Sequence, residues 1–131
     1  MTRYLLASAA ILLACTPSLA QAPHVHWVMF EPESAALGAT AESQLQRYAL
    51  DIGDRRVVIR GHADPSEGGE AQAIELSQRR ATVVHDHLQA YGVSVERMTV
   101  QASGLSSVGA GNPDDARQNR RVEVLAYLAS P

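Results

Sequence analysis

The sequence predicts a two-layer α/β (α+β) sandwich, in the order β-α-β-α-β-(α)-β, with helices packed on one face of a mixed sheet. Three observations predict it. Two segments place apolar residues at steps of three and four, the mark of a helix with one buried stripe. Four short segments are β-branched or alternate apolar with polar residues, as strands do. Clusters of Gly, Pro, Asp and Ser punctuate the chain between them. Helices and strands in this order bury their apolar faces by stacking as layers around one core.

Residues 24–30 alternate around Val25, Trp27 and Val28 and form the first strand. Pro32 breaks it, and Ser34 is expected to N-cap the first helix. Leu37, Ala41, Leu45, Tyr48 and Ile52 give that helix one apolar face, and Gly53 ends it. In residues 55–63, Val57, Val58 and Ile59 stand in a row, as expected of a central strand covered on both sides. Gly61 and residues 64–69 mark a loop. Ile74, Ser77, Ala81, Val84, Leu88 and Tyr91 form the stripe of a second helix closed by Gly92. Met98, Val100 and Ala102 alternate as a third strand, and residues 103–113 form a loop. A short helical turn over 114–119 precedes a last strand marked by Val122, Val124, Ala126 and Leu128.

Composition narrows the function. The 131 residues carry a net charge of −3, and every cationic side chain is Arg, with no Lys. Nucleic acid is not an expected partner, because phosphate binding needs a basic face. The only cysteine is Cys15, so an intramolecular disulfide, a cysteine metal site and a thiol nucleophile in the folded part are all excluded.

Residues 1–20 begin with Arg3 and an apolar run from Tyr4 to Ala14. A bilayer-crossing helix needs about 20 apolar residues, so this run reads as a secretory signal. Two processing sites fit. Ser18-Leu19-Ala20 resembles a small-x-small site with cleavage before Gln21. Leu12-Leu13-Ala14-Cys15 resembles a lipoprotein box, with lipidation at Cys15. Either exports the domain. The expected organisation is signal 1–20, linker 21–23 and one domain over 24–131.

No nucleophile elbow, Walker loop or HExxH is present. The pairs His24/His26 and His85/His87 lack an evident third ligand. No catalytic residue, cofactor or metal is expected, and the chain is not read as an enzyme.

The informative blocks are Phe30/Ser34/Leu37, Arg60-Gly61-His62-Ala63-Asp64, Leu76-Ser77-Gln78-Arg79-Arg80-Ala81 and Asn119-Arg120-Arg121-Val122-Glu123. In this order they resemble the signature of the outer-membrane protein A C-terminal domain family. That family includes peptidoglycan-associated lipoproteins and flagellar stator proteins. The likeness spans about residues 24–128.

The resemblance implies non-covalent binding of peptidoglycan at the diaminopimelate of its stem peptide, through Asp64 and Arg80. The chemistry is coherent. Diaminopimelate ends in a nitrogen beside a carboxylate, which an acceptor and a bidentate guanidinium can read together. A lysine-type stem lacks that carboxylate and would leave Arg80 unpaired. His62, as a hydrogen-bonded partner within the loop, and Leu76 would support the pocket. Of Arg120 and Arg121, one would brace Asp64 or the ligand and the other would lie on the surface. Read alone, Asp64 is an Asx-turn former before it is a ligand contact. Arg80 has Leu76 and Val84 at i±4, so no helical acid pairs with it.

Three departures stand out. Ala63 replaces the family's Thr and Ala73 its Asn, and the loop between Asp64 and Arg80 looks one residue longer. They favour an alternative from another class: an adaptor that docks to envelope proteins, with weak or no wall binding. Both readings place the protein in the periplasm or against the outer membrane, touching a membrane only through lipid on Cys15.

Overall fold

The computed structural model describes residues 22–105 and 113–128. The signal 1–20, Cys15, the cleavage point before Gln21 and residues 106–112 of the expected loop lie outside the described residues. The elements are β1 (His24–Met29), α1 (Ala39–Ile52), β2 (Arg56–Ala63), α2 (Glu70–Ala90), β3 (Met98–Leu105), α3 (Pro113–Asn119) and β4 (Arg121–Tyr127). Short 3-10 turns cover Pro65–Glu67 and Val95–Arg97.

The sheet order is β1-β4-β2-β3, with β4 antiparallel to both neighbours and β2 parallel to β3. This is the predicted mixed sheet, and α1 and α2 share one face of it. Leu45, Tyr48 and Ile52 of α1 and Ala81, Val84 and Leu88 of α2 bury against Val57, Ile59, Val122 and Val124. Each strand offers every second side chain to that core, and each helix offers one stripe.

Four details differ from the sequence reading. First, α1 starts at Ala39 after Gly38, and Ser34 does not cap it. The Ser34 hydroxyl instead accepts the Ala36 N–H at 3.1 Å. The stretch from Glu31 to Ser34 is held out of the helix because its backbone groups bind side chains across the domain, as described below. Second, Gly61 lies inside β2 rather than in a loop. A Cβ there would sit 2.0 Å from the Ser77 carbonyl oxygen and 3.2 Å from the Ala81 methyl. Glycine therefore lets α2 close onto the strand. Third, β2 is central, yet only one face is covered. Val57 and Ile59 are buried, while Val58 is half-buried on the helix-free face. Fourth, Ile74 is 48% exposed; the buried stripe of α2 runs instead through Ala73, Leu76, Ser77 and Arg80. In addition β3 runs on to Leu105, so residues 103–105 are strand, and Leu128 lies exposed just past β4.

Candidate functional site

Asp64 leaves the end of β2 and N-caps the 3-10 turn. Its Oδ2 accepts the Ser66 N–H at 2.9 Å and the Ser66 hydroxyl, and its Oδ1 accepts Asn119 Nδ2 at 2.8 Å. The Asx-turn role is thus present in full. Burial alone pushes the Asp64 carboxyl up, but the bonds from Ser66 and Asn119 and the nearby Arg120 charge outweigh it and hold the carboxyl below its usual range.

Arg80 rises from the middle of α2 into the same corner and is 0% exposed. Its Nε donates to the Ser34 carbonyl at 2.8 Å. Nη1 donates to the His62 carbonyl at 3.1 Å and to Glu67 Oε1 at 2.8 Å. Nη2 donates to the Glu31 carbonyl at 3.1 Å and to Glu67 Oε2 at 2.5 Å. A guanidinium has five N–H groups, so all of them are engaged. The Phe30 ring lies 5.4 Å from the guanidinium carbon.

Glu67 completes the corner from the other side. Besides the Arg80 fork, its Oε1 accepts the Asp64 N–H at 2.9 Å and its Oε2 the Glu33 N–H at 2.6 Å. Glu33 adopts a φ of 54°, a region disfavoured for side chains bearing a Cβ. That backbone cost is sustained where its amide meets the buried carboxylate. Burial pushes Glu67 up, and the bonds from Arg80, Asp64 and Glu33 bring it below the usual carboxylate range.

Asp64 and Arg80 are therefore brought to one corner, and each is already partnered. Among the described residues no ion pair joins them directly; Glu67 bridges them, bonded to the Asp64 backbone and the Arg80 fork. Sequence reasoning missed Glu67 and the direct role of Asn119. The one available signal was negative: Arg80 had no acid at helical spacing, so its counter-ion had to come from elsewhere.

The other expected pocket residues divide. Leu76 is buried with Ala63 and Ala73, against Ala35. The two alanines that depart from the resembled pattern are thus neighbours in one small apolar cluster. Arg120 is half-buried, donates from Nε to the Phe30 carbonyl at 3.1 Å, and adds positive potential at Asp64. His62 and Arg121 do not face this corner. The His62 side chain lies on the helix-free face of the sheet, because β2 alternates; only its carbonyl reaches Arg80. Its Nε2 is 3.3 Å from Glu123 Oε1, outside hydrogen-bond geometry. Burial and then the Arg121 charge pull its pKa down to about 4, against the opposing pull of Glu123. Arg121 is buried rather than on the surface. Its Nε and Nη2 lie 2.9 and 2.8 Å from Glu123 Oε1, and its guanidinium lies 4.7 Å from the Trp27 ring centroid.

Ser77 and Ala81 show why the helix can come so close. The Ser77 hydroxyl donates to the Ile74 carbonyl at 2.8 Å and accepts the Gly104 N–H at 3.0 Å, tying α2 to β3. Ala81 packs on Gly61. The Leu-Ser-x-x-Arg-Ala block thus combines close packing with placement of one guanidinium. Of the His pairs, His24 and His26 lie against Tyr48, with ring centroids 5.4 and 4.8 Å away. Among the described residues no group of three metal-ligating side chains occurs.

Comparison with known proteins follows the same lines. The chain is 38% identical over 74 residues to the peptidoglycan-binding protein ArfA of Mycobacterium tuberculosis, covering 55% of this chain and 22% of that protein. It is 31% identical over 111 residues to the peptidoglycan-associated lipoprotein of Legionella pneumophila, covering 80% and 62%. It is 32% identical over 109 residues to photosystem I P700 chlorophyll a apoprotein A2 of Gloeobacter violaceus, covering 75% and 12%. The chain thus spans between 12% and 62% of the length of these relatives. The crystal structure of the peptidoglycan-associated lipoprotein from Burkholderia pseudomallei has the same fold, with a TM-score of 0.70 at 24% identity over 76% of this chain and 88% of that one. The pattern of the OmpA family matches residues 29–122, and the chain belongs to the OmpA family.

Proposed function

We propose that this domain binds peptidoglycan non-covalently, without bond-breaking chemistry, and anchors or spaces the cell envelope. Asp64 and Arg80 are its reading groups, and the diaminopimelate of the stem peptide is their target. One observation carries this reading. An acidic strand end and a buried guanidinium converge on a single carboxylate, that of Glu67. A corner that grips one carboxylate beside an acceptor suits a small zwitterion. Two relatives named for peptidoglycan support the same ligand class. Export through residues 1–20, by cleavage before Gln21 or lipidation at Cys15, would place the domain in the envelope.

The test is retention on purified sacculi of the diaminopimelate type, with lysine-type sacculi as comparison. Wild-type protein should be retained on the first and weakly on the second. Asp64→Ala should abolish retention while leaving the circular dichroism spectrum intact. Undiminished retention of that variant would reject the pocket. A second reading is favoured by the saturation of Arg80. If the guanidinium never releases Glu67, the domain serves as an adaptor for envelope proteins. Wild-type protein would then pass through sacculi unretained and be captured by an envelope complex.

A further inference from the structure

We infer that the corner around Arg80 is a carboxylate receptor that the chain fills with its own Glu67, and that an external carboxylate binds by exchange with it. For the identity of the incoming group this rests on the wall-binding reading; the receptor itself does not.

The argument is one of donors. Four N–H groups aim at the Glu67 carboxylate: one from each Nη of Arg80, one from Asp64 and one from Glu33. Remove that carboxylate and the guanidinium is still held in place. Arg80 stays anchored by three carbonyls, those of Glu31, Ser34 and His62. Its two freed N–H groups, one per Nη, form the parallel fork that matches a carboxylate. Arg80 sits on a 21-residue helix, whereas Glu67 sits on a three-residue turn followed by Gly68 and Gly69. The stiff half is the receptor and the adaptable half is the plug.

Exchange also fits the energetics of burial. Leaving a guanidinium empty in this corner is costly, so the site favours holding an anion. Glu67 is the resident anion. While it is docked, a ligand finds only the undocked fraction of molecules. Docking for 90–99% of the time would lower apparent affinity about 10- to 100-fold. Glu67 thereby sets affinity without touching the ligand.

The experiment is chemical rescue of Glu67→Ala, with Glu67→Gln as a milder second variant. Thermal unfolding of each is followed in acetate, in meso-diaminopimelate and in chloride at equal ionic strength. Both carboxylates should raise the unfolding temperature of Glu67→Ala well above the chloride value, and that of wild type far less. If Glu67→Ala does not fold in chloride, acetate should restore folding. Adding Arg80→Lys to either Glu67 variant should remove the gain. An equal response to acetate and chloride in both Glu67 variants overturns the receptor.

Sacculi retention separates this from the wall-binding reading. Glu67→Ala should hold diaminopimelate-type sacculi about 10- to 100-fold more tightly than wild type. Rescue by carboxylates with no retention of wild type or variant sustains the receptor and rejects wall binding. Retention of wild type with no rescue and no gain in the variant rejects the receptor and leaves wall binding standing.

Discussion

Arg80 and Arg121 are both buried and both paired with a glutamate, yet they sit in two different regions. Arg80 lies in the helix-side corner, and its partners are 13 to 49 positions away in sequence. It joins the chain before α1, the end of β2 and the 3-10 turn. Arg121 lies on the helix-free face. Its bonds include those to Glu123 and the Gln118 carbonyl, two and three positions away, with Trp27 of β1 alongside. The same pair of residue types thus ties separate elements together in one region and spans a single strand in the other. Burial alone does not tell the two pairs apart; the sequence separation of arginine and glutamate, 13 positions against two, does.

Removing each arginine tests the contrast most strongly. Arg80→Ala should cost about 3–5 kcal/mol, since it strands the buried Glu67 carboxylate and frees three carbonyls. Arg121→Ala should cost less, about 1.5–3 kcal/mol, the scale of hydrogen bonds to a charged group. Chemical denaturation of both variants checks the order; equal losses would erase the distinction. Gly61→Ala comes next, at about 1–3 kcal/mol. The added methyl would meet helix backbone, so α2 must shift and carry Arg80 with it. Ligand retention should therefore fall along with stability.

The narrowest effect, confined to one pH window, belongs to the helix-free face. Folded His62 holds its proton only below about 4, whereas the unfolded chain takes one up below 6.5. Between those values the unfolded state binds more protons, so stability falls as pH falls across that window. His62→Gln should flatten this part of the stability profile. Glu67 acts lower down. Its depressed pKa contributes stability that is present above the ordinary value of 4.5 and is lost as pH drops through the folded value. Glu67→Gln should therefore narrow its stability deficit only in stronger acid.

The fold was legible because its signals are periodic. Leu45, Tyr48 and Ile52 repeat at helical spacing, and Val122, Val124 and Ala126 alternate. Asp64 and Arg80 were legible through the four-block resemblance rather than through period. Glu67 was not, since a 3-10 turn of three residues repeats nothing and its carboxylate works through tertiary contacts. The misplaced start of α1 has the same origin. Residues 31–34 carry a helix-entry signal, but the Glu31 and Ser34 carbonyls and the Glu33 amide serve Arg80 and Glu67 instead. The pairing of Arg121 with Glu123 could have been read. Arg121 and Glu123 stand two apart on a strand, so opposite charges share one face.

The sheet order has a consequence for how the chain can be made. The last strand, β4, lies between the first strand and β2. During synthesis from the N-terminus, β1 has no partner beside it until residues 121–127 emerge. The β2–β3 pair can form earlier, but with one long edge of β2 open to other chains. The sheet is therefore completed only after β4 emerges, and a chain cut before residue 121 would lack the middle of its sheet rather than a fringe.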